Sequence, residues 1–274
     1  MLPSTPADLA RILEMDDEQA MVSLAGAAHR LYTCWYQEKP NGGKRLIEAP
    51  FPDLKKCQRL LSEKILGAIP IHAALHGRPG TSQITAASRH VGQPVVITMD
   101  LREFFPSTTA RMINCALVRN GFDPKIAEIV TKLTTTKRRL PQGAPTSPVL
   151  ARIVISPILT RIEGLLESIS LKCRFAQYVD DLSLSGPAGL QRVMPSVTRI
   201  FKQNGFEINP KKTKVMRGGD EKEVLGIRVN YRLEPGRKFE RKIADARQAP
   251  NENRNRLTGL LGYRRTVLKA NTPH

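Results

Sequence analysis

Little in this chain would suit an oxidising compartment or a membrane. Its four cysteines among 274 residues, Cys34, Cys57, Cys115 and Cys173, never fall at Cys-x-x-Cys spacing. That excludes a zinc ribbon or a disulfide framework and leaves them as small apolar side chains. The five histidines are scattered, with no His-Glu-x-x-His cluster, so soft-metal chemistry is not indicated. No apolar run approaches the roughly 20 residues that span a bilayer; Val95-Val96-Ile97-Thr98-Met99 is cut by Asp100. The start, Met1-Leu2-Pro3-Ser4-Thr5, lacks the basic and apolar regions of a secretory signal, and a cytoplasmic address without a membrane partner is expected. Acid is scarce too. Against 43 Lys and Arg stand only 25 Asp and Glu, a net charge of +18, which points to a polyanionic partner, nucleic acid before an acidic membrane. With 41% apolar residues, 25% charged residues and no long single-letter tract, wholesale disorder is not expected and a soluble globular protein is the default.

The pattern along the chain predicts helix within 7–31, a strand from Leu31 to Tyr36, a turn at Pro40-Asn41-Gly42-Gly43 and a returning strand Lys44 to Glu48, together a basic-tipped hairpin. Helices are expected over 53–69, 84–91, 109–120, 124–133, 149–168, with a kink at Pro157, and 188–204. Strands are expected at 95–99, 175–179 and 182–185, near 206–208 and 213–216, and at 223–229. Residues 202–274 hold 18 Lys and Arg against 8 Asp and Glu, and near residue 231 the strand signal fades into a small basic module.

Two placements of acid stand out in so basic a chain. Asp100 ends a buried strand, and Asp180-Asp181 forms the tip of a hairpin between apolar residues. Carboxylates at buried strand ends are costly unless a cation lies among them. Magnesium, which takes hard oxygen ligands and substrate phosphates, is the expected one. A pair of such ions activates a hydroxyl and stabilises a leaving pyrophosphate. A lone Asp-Asp otherwise reads as a turn or a helix cap.

These residues resemble a known family. Tyr178-Val179-Asp180-Asp181 is similar to the catalytic box of reverse transcriptases, Leu140-Pro141-Gln142-Gly143-Ala144-Pro145-Thr146-Ser147-Pro148 to their nucleotide-binding loop, and Asp100-Leu101-Arg102-Glu103-Phe104-Phe105-Pro106-Ser107 to their first catalytic strand, in the family's order. Tyr36 to Pro50 resembles the fingers hairpin, Asn209-Pro210-Lys211-Lys212-Thr213-Lys214 the lysine-bearing segment, and Val224-Leu225-Gly226 the strand after it. The Gln-Gly-Ala-Pro-Thr-Ser-Pro loop and the Asp-x-x-x-Phe-Phe-Pro-Ser strand resemble bacterial enzymes of the retron and group II intron type, and His76-Gly77-Arg78-Pro79-Gly80-Thr81-Ser82 resembles the retron type among them. Two departures are Ala86-Ala87-Ser88-Arg89-His90, where retron enzymes have Asn-Ala-x-x-His, and Val224-Leu225-Gly226, where they have Val-Thr-Gly. In that family both segments are associated with recognition of the cognate RNA.

The resemblance implies an α+β right-hand polymerase: fingers with N-terminal helices over 1–95, a palm of mixed or antiparallel sheet and helices over 96–230, to which 106–150 adds partly on the fingers side, and a small helical thumb over 231–274. It implies RNA-directed DNA synthesis by two magnesium ions held by Asp100, Asp180, Asp181 and the Leu101 carbonyl, with Lys212 acting on the pyrophosphate. Lys44, Arg45, Glu103, Phe104, Phe105, Gln142 and Gly143 would bind the deoxynucleoside triphosphate, Phe105 closing the space a 2′-hydroxyl needs. Tyr178 and Val179 would lie near the primer end. Arg237, Lys238, Arg241, Lys242, Arg254, Arg256, Arg264 and Arg265 would hold the RNA/DNA hybrid product. Trp35, Tyr36 and Tyr263 are candidates for base stacking. The implied partners are a cognate structured noncoding RNA, as template and primer, and an effector protein in defence against phage. The rival readings are another small defence-associated reverse transcriptase with its own priming mode and a non-catalytic RNA-binding scaffold. The acidic triad speaks against the scaffold, because mutually repelling buried carboxylates are costly to keep.

Overall fold

A computed structural model describes residues 2–39, 42–169, 172–248 and 250–271, the side chains of 250–254 excepted. Along the chain run α1 (Pro6–Ile12), α2 (Glu18–Ala27), β1 (Tyr32–Glu38), β2 (Lys44–Pro50), α3 (Pro52–Lys64), β3 (Leu75–His76), α4 (Gln83–Ser88), β4 (Val95–Leu101), α5 (Phe104–Ser107), α6 (Ala110–Arg119) and α7 (Pro124–Thr134). There follow α8 (Ser147–Ser168), β5 (Arg174–Tyr178), β6 (Asp181–Gly186), α9 (Met194–Gln203), β7 (Ile208–Arg217), β8 (Glu223–Val224), β9 (Ile227–Arg228), β10 (Glu234–Pro235), α10 (Arg237–Gln248) and α11 (Pro250–Lys269). The chain divides into two compact units, one of residues 1–72, 102–159 and 204–206, the other of 73–101, 160–203 and 207–274.

The first unit is helical apart from the β1–β2 ribbon. Four of its helices start where short polar side chains cap free backbone N–H groups: Thr5 and Asp8 form a capping box on α1, Asp17 caps α2, Thr109 caps α6, and Asp123, before Pro124, caps α7. α7 packs against α2, α3 and α6, burying Met21, Leu54, Leu61, Ile113, Leu117, Ile126 and Val130. Burial of each such side chain contributes about 1.5–3 kcal/mol.

The second unit is built on a five-stranded sheet of order β3-β5-β6-β4-β7, antiparallel except for β3 on β5. β4 lies inside the sheet, and six of its seven residues are buried. This is why it reads as an unbroken apolar run rather than as alternation. A second, three-stranded sheet of β8, β9 and β10 joins Ala87 of α4, Val96, Met216 and Val267 of α11 in one apolar cluster with Val224, Ile227, Val229 and Leu233.

Several expectations are corrected. The strands expected near 206–208 and 213–216 form one strand, β7, because an irregularity in its pairing with β4 interrupts the apolar alternation without ending the strand. The strand expected over 223–229 is a hairpin folded at Leu225-Gly226, with Leu225 at φ 53°; a leucine gives no turn signal. β3 and β10, two residues each, are too short to leave a periodicity. The segment read with Asp100 as a strand to Ser107 leaves the sheet after Leu101 and turns into α5. The helix expected over 149–168 is present as α8, with Pro157 inside it. Of the turn expected at 40–43, Pro40 and Asn41 lie outside the described residues. Among the described residues no helix is long and apolar enough to cross a membrane.

His90, after α4, is fully buried and joins that helix to the sheet. Its Nδ1 lies 2.7 Å from Ser185 Oγ and its Nε2 2.8 Å from Ser183 Oγ, and Ser183 donates onward to the Ala176 carbonyl. With the Ser183 hydrogen committed to Ala176, Nε2 carries the proton and Nδ1 accepts from Ser185. Burial first, then Arg89, His76 and Arg174, pushes the His90 pKa from 6.5 down to about 3. The unfolded chain thus gains a proton below about pH 6.5 that the fold refuses until about pH 3, so stability falls as pH drops through that window, by at most about 1.4 kcal/mol per pH unit. Thermal melts from pH 7 to pH 4 should show a shallower acid decline for His90→Asn than for the parent. Parallel declines would contradict the neutral buried imidazole.

Candidate active site

β4 and β6 lie side by side in a register that sets Asp100 opposite Asp181. The turn from β5 into β6 is only Val179-Asp180 long, with Tyr178 paired to Asp181. Val179 sits at φ 54°, a conformation that a β-branched side chain adopts only under constraint. Two hydrogen bonds supply it: Gln177 Nε2 donates to the Val179 carbonyl at 2.7 Å, and the Leu101 N–H donates to the Asp180 carbonyl at 2.9 Å. The second bond ties the Asp180 turn to the residue that follows Asp100, so Asp100 meets the adjacent Asp180 and Asp181 from a distant part of the sequence. A Cβ at Gly77 would come within 3.3 Å of the Tyr178 ring, so glycine there admits the tyrosine.

On the other side of β4, Thr98 pairs with Lys214 but Asp100 pairs with Asn209. Two steps along β4 therefore match five along β7, and Pro210–Thr213 bulges out of the ladder. Bulges re-aim side chains, and this one brings Lys212 Nζ to 2.7 Å from Asp100 Oδ2. Thr213 Oγ1 donating to the Asn209 carbonyl and the Lys211 N–H donating to Asn209 Oδ1 hold the bulge. Of the three lysines in this segment, Lys212 is the one paired with Asp100, and Lys211 and Lys214 are exposed.

The electrostatics follow from crowding. Burial, then Asp180, then Asp100 raise the Asp181 pKa to about 6, with Lys212 pulling the other way. The Lys212 ammonium is strengthened first by its hydrogen bond to Asp100. Among the described residues no three His, Cys, Asp or Glu side chains stand as a formed metal cage; the cation facing the carboxylates is the lysine. The donors are hard oxygens, and the raised Asp181 marks a cluster short of positive charge. That chemistry fits magnesium.

In the first unit, β1 and β2 pair Gln37 with Arg45 and Glu38 with Lys44. Successive strand residues project to opposite faces, so Arg45 shares a face with Ile47 and Trp35 while Lys44 shares the other with Leu46 and Tyr36. Gly143 marks which face meets the loop: at φ 131°, its Cβ would lie 3.0 Å from Ile47 Cγ2 and 3.1 Å from the Glu48 carbonyl. A side chain there would be both strained and crowded. Arg45, not Lys44, is therefore on the Gly143 side of the ribbon. The Gln142 carbonyl accepts from the Glu48 N–H at 2.9 Å. Glu103, at φ 44°, opens α5. Phe104 is buried with its ring 5.8 Å from Phe206, whereas Phe105 is half-buried.

The basic C-terminal residues differ in their partners. Arg237 is paired with Glu221 at 2.6 Å and Arg264 with Glu240 at 3.0 Å. Lys238 and Lys242 line a cavity of about 350 Å³ with Leu225, Phe239 and Tyr263, and the two rings are 4.9 Å apart. Arg237 and Arg241 border a furrow with Arg228 and Glu240, and with Lys238 they line another beside Lys214. Arg256 and Arg265 are exposed, and the Arg254 side chain lies outside the described residues. Sequence reasoning passed over Gln177 and Glu48, because a buried polar residue inside a strand looks like its solvent-facing counterpart.

A family model described as reverse transcriptase (RNA-dependent DNA polymerase) matches residues 37–229. The chain is 33% identical over 261 residues to the retron Mx65 reverse transcriptase of Myxococcus xanthus, covering 85% of this chain and 61% of that protein. It is 31% identical over 230 residues to the retron Mx162 reverse transcriptase of the same organism, covering 73% and 47%. To the retron Ec86 reverse transcriptase of Escherichia coli it is 28% identical over 222 residues, covering 80% and 68%. It thus spans less than two thirds of the length of both Myxococcus relatives. Among solved structures, telomerase from Candida albicans in complex with a telomeric RNA fragment superposes with TM-score 0.55 at 12% identity, over 75% of this chain and 46% of that one. A foamy viral protease–reverse transcriptase in complex with double-stranded DNA does so with 0.53 at 19%, over 85% and 35%. At such identities the likeness is one of fold, the α+β polymerase fold.

Because burial first and then crowding by Asp180 and Asp100 raise the Asp181 pKa, the metal-free protein is penalised once Asp181 must ionise. The unfolded chain releases that proton near pH 3.8 and the fold near pH 6, so stability falls as pH rises between these values and the full penalty persists above. With chelator present, Asp181→Asn should raise stability at pH 8 by on the order of 2 kcal/mol, with the gain vanishing below about pH 4. A pH-independent difference in denaturant melts would refute the crowding.

Proposed function

Because the chain belongs to the reverse transcriptase family, we propose that it is an RNA-directed DNA polymerase of the retron type, copying a cognate structured noncoding RNA into single-stranded DNA. The observation that carries this reading is the meeting of Asp100 with the Asp180-Asp181 turn across β4 and β6, with Lys212 held beside them. In this reading 1–95 are fingers, 96–230 the palm, with 106–150 partly on the fingers side, and 231–274 the thumb.

Asp100, Asp180 and Asp181, with the Leu101 carbonyl, would hold two magnesium ions, which when bound supply Lewis-acid activation of the primer hydroxyl and neutralise charge on the pyrophosphate. The side chains supply the rest. Lys212, kept protonated by Asp100, holds a proton and a positive charge for the leaving pyrophosphate. Arg45 offers two parallel N–H groups to the triphosphate. Gln142 and Gly143 let the nucleotide approach the backbone. Phe104, packed on Phe206, fixes Phe105 as the ring against the sugar, and Glu103 turns the chain into that position. Tyr178 and Val179 border the primer end. Lys238, Lys242, Arg256 and Arg265 are the basic residues best placed to meet backbone phosphates of the hybrid, since Arg237 and Arg264 already have carboxylate partners. The biological setting in this reading is cytoplasmic, with the noncoding RNA as template and primer and an effector protein completing an antiphage system.

Purified with co-expressed RNA, magnesium and labelled deoxynucleotides, the chain should extend DNA, and Asp180→Asn/Asp181→Asn should lower incorporation by at least about a thousandfold, about 4 kcal/mol of barrier. Equal incorporation would remove the catalytic reading. Phe105→Ala should leave synthesis measurable while narrowing the preference for deoxy- over ribonucleotides by about tenfold or more. Unchanged discrimination would take the sugar-excluding role from Phe105.

A further inference from the structure

Glu48 is a carboxylate with 1% of its side chain exposed, in a ribbon that is otherwise mostly open to solvent. A buried charge of this kind persists only with cationic partners. Both come from one turn: Lys137 Nζ at 3.1 Å and Arg139 Nη2 at 3.5 Å, each to Glu48 Oε1. The turn is an unfavourable one. Thr136 and Arg139 exchange backbone hydrogen bonds at 3.1 and 3.0 Å around Lys137 at φ 49° and Arg138 at φ 59°. Two successive left-handed residues close such turns most readily as Asn-Gly, and Lys-Arg adopts the shape only under outside constraint. Glu48 supplies that constraint by gripping the residues on either side of Arg138. Its own N–H meanwhile donates to the Gln142 carbonyl, three residues beyond Arg139, and its carbonyl lies where a Cβ on Gly143 would collide.

We propose that Glu48 is the positioning residue of the nucleotide pocket: by its side chain it holds the strained 136–139 turn and by its backbone it seats Gln142-Gly143 on the strand that carries Arg45. This rests on the nucleotide-holding role proposed above for Arg45, Gln142 and Gly143. Glu48 touches no substrate; it acts by fixing the spacing between Arg45 and the loop. Displacements of an ångström in such pockets are enough to change rates and affinities severalfold to a hundredfold.

The test is steady-state kinetics of single deoxynucleotide addition on the full chain with its RNA. Glu48→Gln, which keeps volume and an acceptor but removes the charge, should raise KM for the nucleotide about tenfold with kcat changed less than about twofold and RNA affinity unchanged. Replacing the strained turn in that background by Lys137→Asn/Arg138→Gly, a sequence that adopts it unaided, should bring KM back toward the parent value. An unchanged KM in Glu48→Gln, or no recovery on relaxing the turn, would overturn the proposal. If Glu48→Gln fails to fold, Lys137→Ala/Arg139→Ala removes the same grip from its solvent side and should raise KM likewise; an unchanged KM there also overturns it. Arg45→Ala separates the two levels. If it leaves KM unchanged, the nucleotide pocket itself is misassigned; if it raises KM while the Glu48 variants do not, only the positioning role falls.

Discussion

Burial of carboxylates beside one another governs the second unit. Three aspartates are brought together at the ends of two interior strands, and among the described residues the ammonium paired with them is that of Lys212. A cluster with more negative than positive charge is unstable in isolation and waits for a cation. The surrounding architecture keeps it in place: the buried apolar strand β4, the Gln177 side chain bonded to the turn, and the bulge that aims the lysine all hold the carboxylates against their tendency to separate. Loss of stability at such a cluster is the usual accompaniment of a preorganised site.

The first unit solves a related problem with opposite sign. There the buried charge is one carboxylate, Glu48, and the cations that answer it, Lys137 and Arg139, sit at the surface end of their turn, with side chains 59% and 25% exposed. One ionic contact thus substitutes for the turn chemistry that Asn-Gly would have provided. In both units left-handed non-glycine residues, Val179 in one and Lys137 and Arg138 in the other, mark where the backbone is held by interactions from elsewhere in the chain.

The chain's large positive charge is distributed with discrimination. Two of the arginines counted as a nucleic-acid surface, Arg237 and Arg264, are paired with glutamates, whereas Lys238, Arg241 and Lys242 of α10 line surface furrows. Net charge therefore speaks to the class of partner, whereas the pairing of each side chain decides which cations are free to meet phosphate.

Much was determined by the linear order of residues alone. The unbroken apolar run ending on Asp100, the hairpin tipped by Asp180-Asp181, the helix boundaries at Thr109 and Asp123, and the set of short segments in reverse-transcriptase order were all legible, because they depend on local periodicity, turn propensity and spacing. Tertiary structure decided the rest. Which of three lysines faces Asp100 depends on a pairing irregularity between β4 and β7, and which of Lys44 and Arg45 faces the Gly143 loop depends on strand parity against a distant segment. The burial of Glu48 and His90 likewise depends on partners 89 and 95 residues away. Polar side chains look alike in a sequence whether they meet water or a neighbour. Only the closing of long loops, with its entropy cost, assigns them one or the other.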